Sequence, residues 1–367
     1  MIKVLVVGQT PPPFLGQAMM IQRLVNASFK DVEVRHVRLA FSEEAGSIGK
    51  ISLKKVFHLF STIIKIYKET LFKKDMVLYY PPSGPNMNPI VRDLILLFFI
   101  RPLFKKNVFH FRAAGISEYL QSTSKWFQFI CKKIYGKPDI GVQLSSLNPA
   151  DADYFQAKRV FYIPNGLEDD AKGYLPFCRE ANSTIQILFV GILREDKGLT
   201  ILINSMHSLM KKGVKNFTLT VMGDFNSAEY EKELYDKIKM FDMKDHVLFI
   251  GSKAGLSKWH YFNEADFLVF PTFFNSESFG NVLLEAMMFQ LPVIATAWRG
   301  TPDIVTPETG FLIPIKNEEA LEEKINILIG DHELRLKMGT KARSRFLEYY
   351  TLQQHLDKMQ SMFRSLE

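Results

Sequence analysis

Short apolar runs alternate along the chain with longer stretches in which apolar residues recur every three or four positions. Continuous apolar runs bounded by glycine, proline or polar residues are typical of buried parallel strands, and the longer stretches are typical of amphipathic helices. The pattern therefore predicts an α/β protein with parallel sheets. The predicted strands are residues 4–7, 76–80, 108–112, 140–144 and 160–164 in the first half, and 186–191, 219–223, 247–251, 267–270, 292–296 and 310–314 in the second.

The alternation of strand and helix begins twice. The loop 9–17 after the first strand contains three consecutive prolines and leads to a helix from about Ala18. A polar stretch after Asn165 and Gly166, extending to Ser183, precedes the second series. A chain of 367 residues is long enough for two cores. We predict one domain over residues 1–166 and another over residues 167–349.

Residues 276–287 place two carboxylates around the start of a predicted helix. Helical spacing begins near Phe279, so Glu277 precedes the first turn and Glu285 lies about two turns inside the helix. Unpaired amides at a helix N-terminus bind anions, and Gly280 permits close approach. A phosphate bound there would lie between the two carboxylates. Glu285 would face a ribose on one side of the phosphate, and Glu277 would face the group attached on its other side. Alternatively, Glu277 only caps the helix and Glu285 is a solvated surface residue.

Two basic residues follow the first strand of the second half. Arg194 and Lys197 stand in the sequence Gly-Ile-Leu-Arg-Glu-Asp-Lys-Gly, residues 191–198. A diphosphate leaving group that is not held by a metal must be balanced by cations and helix amides. We expect these residues to supply the cations, with Gly16, just before a helix, as a second place of close phosphate approach. A solvated loop is the alternative.

His110 and Arg112 lie two residues apart near the C-terminal end of the predicted strand 108–112. Their side chains therefore point to the same face of the sheet. Open parallel sheets place ligand contacts at the C-terminal ends of their strands, so this position favours a functional histidine over a purely structural one.

Charge is unevenly divided along the chain. Residues 1–166 contain 23 Lys and Arg against 11 Asp and Glu, whereas the remainder contains 23 against 28. A basic half can meet nucleic acid, an anionic membrane or an anionic substrate. Two basic amphipathic stretches, 51–74 and 90–106, favour an anionic membrane surface over ordinary solvated helices. The lysines expected to make this contact are Lys54, Lys55, Lys73 and Lys74.

Other features limit the location of the protein. Cys131 and Cys178 are too few for a disulfide framework and lack metal-binding spacing, which predicts reduced thiols in a cytoplasmic protein. The N-terminus resembles a strand rather than a signal peptide, and the longest apolar run, 94–100, is far below the ~20 residues of a spanning helix. The acidic pair in residues 151–153 is expected to open a helix, and no metal site is predicted.

Together these motifs resemble those of retaining GT-B glycosyltransferases, most closely the large family numbered 4 in the sequence-based classification. Glu277 and Glu285 resemble the family's pair of glutamates separated by seven residues. The segment 191–198 resembles its basic loop, and 163–166 resembles its domain crossover. Its closing landmarks correspond to residues 302–305 and 310–314. The resemblance covers nearly the whole chain, with all five landmarks in the family's order.

The resemblance implies two Rossmann-like domains whose parallel sheets face each other across a central cleft that holds the active site. The second domain would bind a nucleotide sugar and the first the acceptor, and the C-terminal helix within 350–367 would return to the first domain. The family commonly has an arginine directly after the first glycine of the basic loop. This chain has Ile192 there, and Arg194 is the candidate replacement.

The resemblance also implies individual roles. Glu285 would bind the ribose, Glu277 the sugar hydroxyls and Lys197 the diphosphate, with His110 near the sugar and the reaction centre. Gln17 and Arg112 are assigned to the acceptor. The residues assigned to the donor are Gly16, Gly191, Arg194, Lys197, Gly223, Ser252, Lys253, Ser278, Phe279, Gly280, Asn281 and Glu285.

The implied activity is metal-independent transfer of a sugar from a UDP- or GDP-sugar to a saccharide hydroxyl, with retention and without a cofactor. The basic first domain favours a lipid-linked or membrane-proximal acceptor in bacterial-type capsule, O-antigen or exopolysaccharide assembly, at the cytoplasmic face of the membrane and without nucleic acid. A soluble acceptor remains an alternative. So do a nucleotide-sugar epimerase of the same architecture and a non-catalytic nucleotide-sugar-binding protein. The missing GxGxxG motif disfavours a nicotinamide oxidoreductase.

Overall fold

The computed structural model describes residues 1–12, 16–39, 53–71, 75–177 and 184–367, with side chains of the second helix described from residue 57 onward. The chain divides into two units, Met1–Asn165 with Gln353–Glu367, and Gly166–Leu352. Several residues of the sequence predictions lie outside the described part. These are residues 13–15 of the proline loop, the side chains of Lys54 and Lys55, and all of Lys73, Lys74 and Cys178.

The first unit contains a six-stranded sheet in which every neighbouring pair is parallel, with strand order β2-β1-β3-β4-β5-β6. Its strands are β1 Ile2–Gly8, β2 Val32–Arg38, β3 Met76–Tyr80, β4 Lys106–Phe111, β5 Ile140–Gln143 and β6 Val160–Tyr162. Its helices in chain order are α1 Gly16–Asn26, α2 Leu53–Thr70, α3 Met87–Ile100, α4 Ile116–Gln121, α5 Lys125–Tyr135 and α6 Asp151–Tyr154.

The second unit contains another six-stranded, fully parallel sheet, with order β12-β11-β10-β7-β8-β9. Its strands are β7 Ile185–Val190, β8 Phe217–Met222, β9 Val247–Phe249, β10 Phe267–Phe270, β11 Val293–Thr296 and β12 Gly310–Ile313. The later helices are α7 Leu199–Lys211, α8 Ala228–Met240, α9 Leu256–Glu264, α10 Asn281–Met288, α11 Thr301–Ile304, α12 Glu318–Gly330, α13 His332–Tyr349 and α14 Leu352–Arg364. The predicted α/β class with two parallel sheets is confirmed.

Helices cover both faces of the first sheet because successive strand residues point to opposite sides. Leu5 and Val7 of β1 pack in one core with residues of α2, α3 and α5. Val4 and Val6 pack in another core with α1 and with Met359, a residue of α14. The C-terminal helix is therefore part of the first unit from Gln353 onward.

Three local predictions were wrong or incomplete. Strand β2 was missed, and α10 begins at Asn281 rather than near Phe279, so Glu285 lies little more than one turn inside it. The helical spacing of residues 51–74 predicts that Leu59, Phe60, Ile63, Ile64 and Tyr67 share one apolar face. In α2, Leu59 and Ile63 are buried, whereas Phe60, Ile64 and Tyr67 are exposed.

No helix among the described residues is both long enough and apolar enough to cross a bilayer.

Candidate active site

The second sheet reverses its strand order at β7, which has β10 on one side and β8 on the other. In open parallel sheets, ligands bind outside the C-terminal ends of the strands at such a reversal. The loops that follow β7 and β10 carry the predicted basic residues and the predicted first glutamate. They meet in an ion pair, in which Lys197 Nζ lies 2.5 Å from Glu277 Oε2.

The two loops are held together by backbone contacts. Lys197 ends a short 3-10 turn and is followed by Gly198 at φ +81°. A Cβ at Gly198 would lie 2.1 Å from the carbonyl oxygen of Pro271, so only glycine fits there. The amide of Phe273 also donates to the carbonyl of Asp196 at 2.8 Å. This packing fixes the origin of the Lys197 side chain directly beside the loop that carries Glu277.

Both partners of this ion pair are largely withdrawn from water, with side-chain exposures of 14% for Lys197 and 13% for Glu277. The Lys197 ammonium also lies 4.6 Å from the centre of the Phe274 ring and 5.8 Å from that of Phe270. Aromatic faces attract cations, and charges interact more strongly where water is excluded. The Lys197 ammonium is therefore held between aromatic rings and the Glu277 carboxylate.

Helix α10 begins at this place. Its N-cap residue, Gly280, has φ +78° and offers no side chain to cap the first turn, and Phe279 before it is buried. The N-terminal amides of α10 therefore carry the partial positive charge of the helix at the end next to Lys197 and Glu277. Lys197 and these amides form the kind of cationic surroundings that a diphosphate needs.

Replacing Gly280 with alanine should destabilise the second unit by about 1–3 kcal/mol, because a non-glycine residue in the left-handed region is strained. The new Cβ would also lie 2.9 Å from the Phe270 ring. Urea denaturation measures the effect. Gly330→Ala, at the end of α12 and with nothing within 4 Å of its new Cβ, is the matched control. Equal stabilities of the two variants would contradict a strained requirement for glycine at position 280.

Glu285 has a lysine partner that the sequence analysis missed. Lys258 Nζ, from α9, lies 2.5 Å from Glu285 Oε1, and the two side chains are 18% and 15% exposed. The same ammonium lies 5.0 Å from the centre of the Trp259 ring. Nothing local in the sequence marks Lys258, because its partner lies on another element 27 residues away. Each predicted glutamate is thus paired with one lysine beside an aromatic ring.

Arg194 has partners within its own loop and in the loop that follows β10. Its guanidinium donates to Asp196 Oδ2 at 2.7 Å and lies 4.5 Å from the centre of the Phe274 ring. Ile192, at the position where the family commonly has arginine, is 45% exposed. A phosphate contact by Arg194 would compete with its ion pair to Asp196. Its donor-binding role stays a prediction, whereas Lys197 is paired directly with Glu277.

Four more residues assigned to the donor, Gly191, Gly223, Ser252 and Lys253, lie beyond the C-terminal ends of β7, β8 and β9, whereas Ser278 is buried just before α10 and Asn281 is its first residue. The Gly191 amide donates to Met222, the last residue of β8, and the Gly223 amide donates to Gly251. Beyond them, the amide and hydroxyl of Ser252 donate to the Asp224 carboxylate at 3.0 and 2.6 Å. Lys253 follows as an exposed residue. These strand ends form one continuous edge beside the loop of Lys197.

The remaining predicted residues belong to the first unit. Gly16 and Gln17 open α1, the helix that follows β1. His110 and Arg112 lie at the end of β4, and both are buried. They contact one hydroxyl, because Tyr79 Oη lies 2.6 Å from His110 Nδ1 and 3.2 Å from the Arg112 guanidinium.

These three side chains form one buried network. A guanidinium only donates, so the Tyr79 oxygen accepts from Arg112. His110 Nε2 is a fully buried atom that has no hydrogen-bond partner among the described residues. Burial and the neighbouring Arg112 hold the pKa of His110 well below its usual value, so the ring is neutral.

Arg112 and His355 anchor the segment predicted as the domain crossover. Arg112 donates to Asn165 Oδ1 at 2.9 Å, and His355 Nδ1 lies 2.7 Å from the carbonyl oxygen of Pro164. A carbonyl only accepts, so His355 donates from Nδ1. The role of Arg112 in acceptor binding stays a prediction, beside this internal role.

The protein should lose stability as the pH falls below about 6.5, because buried neutral histidines do not take up the protons that the unfolded chain binds. Burial and the nearby Arg112 lower the pKa of His355 to about 3, so its contribution is lost progressively between about pH 6.5 and 3. For each such histidine, the free energy of unfolding should decrease by about 1 kcal/mol for each pH unit below about pH 6.5.

Urea denaturation of the wild type and of His355→Asn between pH 7 and 5 checks this slope. Asparagine keeps a donor for the Pro164 carbonyl but does not titrate in this range. In the variant, the free energy of unfolding should fall less steeply with decreasing pH, by the amount that corresponds to about one proton fewer taken up on unfolding. Identical slopes would contradict a buried neutral His355.

Asp151 and Cys131 have structural surroundings in the first unit. Asp151 opens α6, as expected, and accepts the amides of Gly115 and Ser117 and the Ser117 hydroxyl at 2.5–3.0 Å. Burial raises its pKa, and these hydrogen bonds oppose the rise. Cys131 is a free thiol whose pKa burial raises to about 12. Within the described ranges, no group of three or more His, Cys, Asp and Glu side chains is arranged to hold a metal ion.

Comparison with known proteins shows which proteins this chain is similar to. Residues 179–345, nearly the whole second unit, match the model of the family described as Glycosyl transferases group 1. Curated relatives include the capsular polysaccharide biosynthesis glycosyltransferase CapM of Staphylococcus aureus, 33% identical over 186 residues, which are 50% of this chain and 47% of CapM.

Another relative is the O-antigen chain mannosyltransferase C of Escherichia coli, 28% identical over 218 residues, or 58% of this chain and 56% of that protein. The chain spans about half the length of these curated relatives. Among solved structures, sucrose-phosphate synthase from Thermosynechococcus elongatus superposes with a TM-score of 0.76 at 18% identity, over 100% of this chain and 99% of that one. The Anabaena protein HepE in complex with UDP gives 0.72 at 17%, over 99% and 100%. The fold is that of the GT-B glycosyltransferases.

Proposed function

We propose that this protein is a glycosyltransferase that moves a sugar from a UDP- or GDP-sugar to a saccharide acceptor. The observation that carries the proposal is the convergence of the Lys197–Glu277 pair and the N-terminus of α10 at the reversal of the second sheet. The second lysine–glutamate pair, Lys258–Glu285, lies just over one turn along the same helix. The similarity in fold to HepE, whose structure holds UDP, supports a nucleotide ligand.

The order of charges along this segment matches a nucleotide sugar. Lys197 and the first amides of α10 would bind the diphosphate in the middle. Glu285 lies just over one turn inside the helix and would accept hydrogen bonds from the ribose hydroxyls. Glu277 lies before the helix and would accept hydrogen bonds from the hydroxyls of the transferred sugar. Each glutamate would exchange a lysine contact for sugar hydroxyls as the donor binds.

Transfer with retention is our proposal for the stereochemistry, as in the retaining family 4 enzymes that the motifs resemble. The bond between the anomeric carbon and the diphosphate oxygen would break first, with the developing negative charge stabilised by Lys197 and the α10 amides. The acceptor oxygen would then bond to the same face of the anomeric carbon. Its proton would pass to the departing phosphate oxygen, so no separate carboxylate base is needed.

We propose that transfer is metal-independent, with Lys197 and the helix amides supplying the positive charge that a divalent cation supplies elsewhere. Activity should therefore persist in excess EDTA. Loss of activity in EDTA, restored by Mg²⁺ or Mn²⁺, would contradict this part of the proposal.

The acceptor is proposed to be lipid-linked or membrane-proximal, in bacterial-type polysaccharide assembly at the cytoplasmic face of the membrane. The capsular and O-antigen relatives support polysaccharide assembly by their names. The excess of positive charge in residues 1–166 supports an acceptor presented at an anionic surface.

Transfer is tested by incubating the protein with labelled UDP- and GDP-sugars and a bacterial lipid-linked saccharide fraction. We expect release of the nucleoside diphosphate that depends on the acceptor, with the label moving to the lipid fraction. The anomeric proton coupling of the product reports retention or inversion. A new nucleotide sugar formed without acceptor would identify an epimerase, and tight donor binding without turnover would identify a binding protein.

A further inference from the structure

Three helices of the first unit lie side by side on one face of its sheet. Residues of α2, α3 and α5 share one core with Leu5, Val7 and Leu78 of the strands, and α3 contacts both of its neighbours. Because the inner sides of these helices already pack on the sheet, their outer sides should be polar. They are not.

Helix α2 carries a second apolar stripe that the core does not use. Its buried side includes Leu59, Ile63 and Ile66, whereas Phe57 is 78% exposed. The exposed apolar residues recur at intervals of three and four, so they form one continuous stripe along the helix. The members of this stripe are Phe57, Phe60, Ile64 and Tyr67 of α2 and Leu71, the residue that follows the helix.

The stripe continues across the two neighbouring helices. The Tyr67 hydroxyl of α2 donates to the carbonyl of Phe99 in α3 at 3.1 Å, which joins the two outer surfaces. On α5, Trp126 is 73% exposed and Phe129 is 64% exposed. The exposed apolar residues of α3 are Met87, Val91, Ile95, Phe98 and Phe99. Together with the α2 stripe and Trp126 and Phe129, they are called the apolar face.

Soluble proteins rarely expose contiguous apolar patches of this extent, and such patches mark interaction surfaces. The composition of the apolar face is rich in aromatic rings, the side chains that prefer the boundary between water and hydrocarbon. Single exposed apolar residues elsewhere need no such explanation.

The charges around the apolar face select the partner. The exposed lysines on the same helices are Lys65, Lys68, Lys125, Lys132 and Lys133. The acidic residues of the three helices are Glu69 and Asp93. Glu69 lies 3.3 Å from Arg35, and Asp93 is buried, where it accepts the Ser83 amide. The three helices therefore combine the apolar face with an excess of exposed lysines.

We infer that the apolar face inserts into the headgroup layer of a bilayer that contains anionic lipid, with α2, α3 and α5 lying along the membrane plane. Apolar side chains would enter the boundary of the acyl chains while the lysines contact lipid phosphates. A protein partner or a second copy would require acidic groups to match these lysines. This inference does not depend on the glycosyl transfer.

Vesicle flotation of the full chain tests the inference. The wild type should float with vesicles of phosphatidylcholine and phosphatidylglycerol and bind at least about tenfold less to pure phosphatidylcholine, since each surface lysine adds attraction to anionic lipid. Two variants separate insertion from attraction. The apolar variant combines Phe57→Ser, Phe98→Ser, Trp126→Ser and Phe129→Ser, and the charge variant combines Lys65→Gln, Lys68→Gln, Lys132→Gln and Lys133→Gln.

Both variants should bind anionic vesicles at least about tenfold more weakly than the wild type. Exposed residues of the second unit provide matched controls, and these should bind as the wild type does. The controls combine Lys211→Gln, Lys215→Gln, Lys239→Gln and Lys244→Gln, or Met240→Ser and Leu248→Ser. Unchanged thermal unfolding shows that each variant is folded.

Insertion has a direct optical signal. Lipids with brominated acyl chains should quench part of the tryptophan emission of the wild type, and Trp126→Phe should remove that part while binding persists. Wild-type binding to anionic vesicles that both variants retain would overturn the inference. A wild type that stays unbound would also overturn it. So would a dimer seen by light scattering that the apolar variant dissociates without any effect on vesicles.

Discussion

Replacing Lys197 with alanine should lower the turnover of sugar transfer by about 10²- to 10³-fold, the usual cost of removing one preorganised group that stabilises a developing negative charge. The structure gives the reason. The ammonium is 14% exposed, lies between the Phe274 ring and Glu277, and stands beside the start of α10. The measurement is the initial rate of acceptor-dependent release of nucleoside diphosphate at saturating donor.

Arg194→Ala is the matched comparison, because Arg194 also lies beside Phe274 but is held by Asp196. We expect it to cost less turnover than Lys197→Ala. Since removing Lys197 leaves Glu277 unpaired, thermal unfolding of each variant must accompany the rates. A folded Lys197→Ala enzyme with wild-type turnover would refute the role of Lys197, and a larger loss in Arg194→Ala would assign it to Arg194 instead.

Replacing Glu285 with alanine should weaken donor binding by about 1.5–3 kcal/mol, the typical value of a hydrogen bond to a charged group, or roughly 10- to 150-fold in Kd. The carboxylate is 15% exposed and fixed on α10, so its hydrogen bonds to a ribose would be shielded from water. Titration calorimetry with the nucleoside diphosphate gives the affinity directly.

The substitution also frees Lys258, so two further measurements isolate the ribose contact. Lys258→Ala removes the ion pair but keeps the carboxylate, and it should cost less affinity than Glu285→Ala. The wild type should discriminate against the 2′,3′-dideoxy nucleotide, and Glu285→Ala should lose this discrimination. If the wild type and Glu285→Ala discriminate equally against the dideoxy nucleotide, Glu285 does not bind the ribose.

The sequence predicted the sheets well because buried parallel strands are short apolar runs. β3 and β10 each consist entirely of buried residues, and both were found. β2 was missed because it pairs only with β1, at the edge of its sheet. Its sequence, Val-Glu-Val-Arg-His-Val-Arg, carries charges that a central strand would exclude.

The sequence predicted the parts of the candidate site whose residues lie close together in the chain. It did not predict the contacts that form between separate elements of the fold. Glu277 and Glu285 lie on one short segment, so their spacing was visible in the sequence. The pairing of Lys258 with Glu285 joins α9 to α10, and no local pattern indicates it. The start of α10 was placed two residues early because Phe279 continues the apolar spacing, although the left-handed Gly280 delays the helix to Asn281.

The same limit applies to the first unit. The lysine-rich pattern of α2 predicted an amphipathic helix, but it could not show that two apolar stripes exist and that only one packs on the sheet. Likewise, spacing placed His110 and Arg112 on one side of β4. Only the fold shows that Tyr79, from the neighbouring strand β3, joins them.

Titration calorimetry of the full chain with UDP and with GDP tests most directly whether the second unit binds a nucleotide sugar. We predict saturable binding of one of these nucleotides at one site per chain, with a Kd of about 1 μM to 1 mM, as is common for enzyme substrates. Lys197→Ala and Glu285→Ala should each weaken it. A folded protein that binds neither nucleotide, or binds one equally well in both variants, would contradict the account.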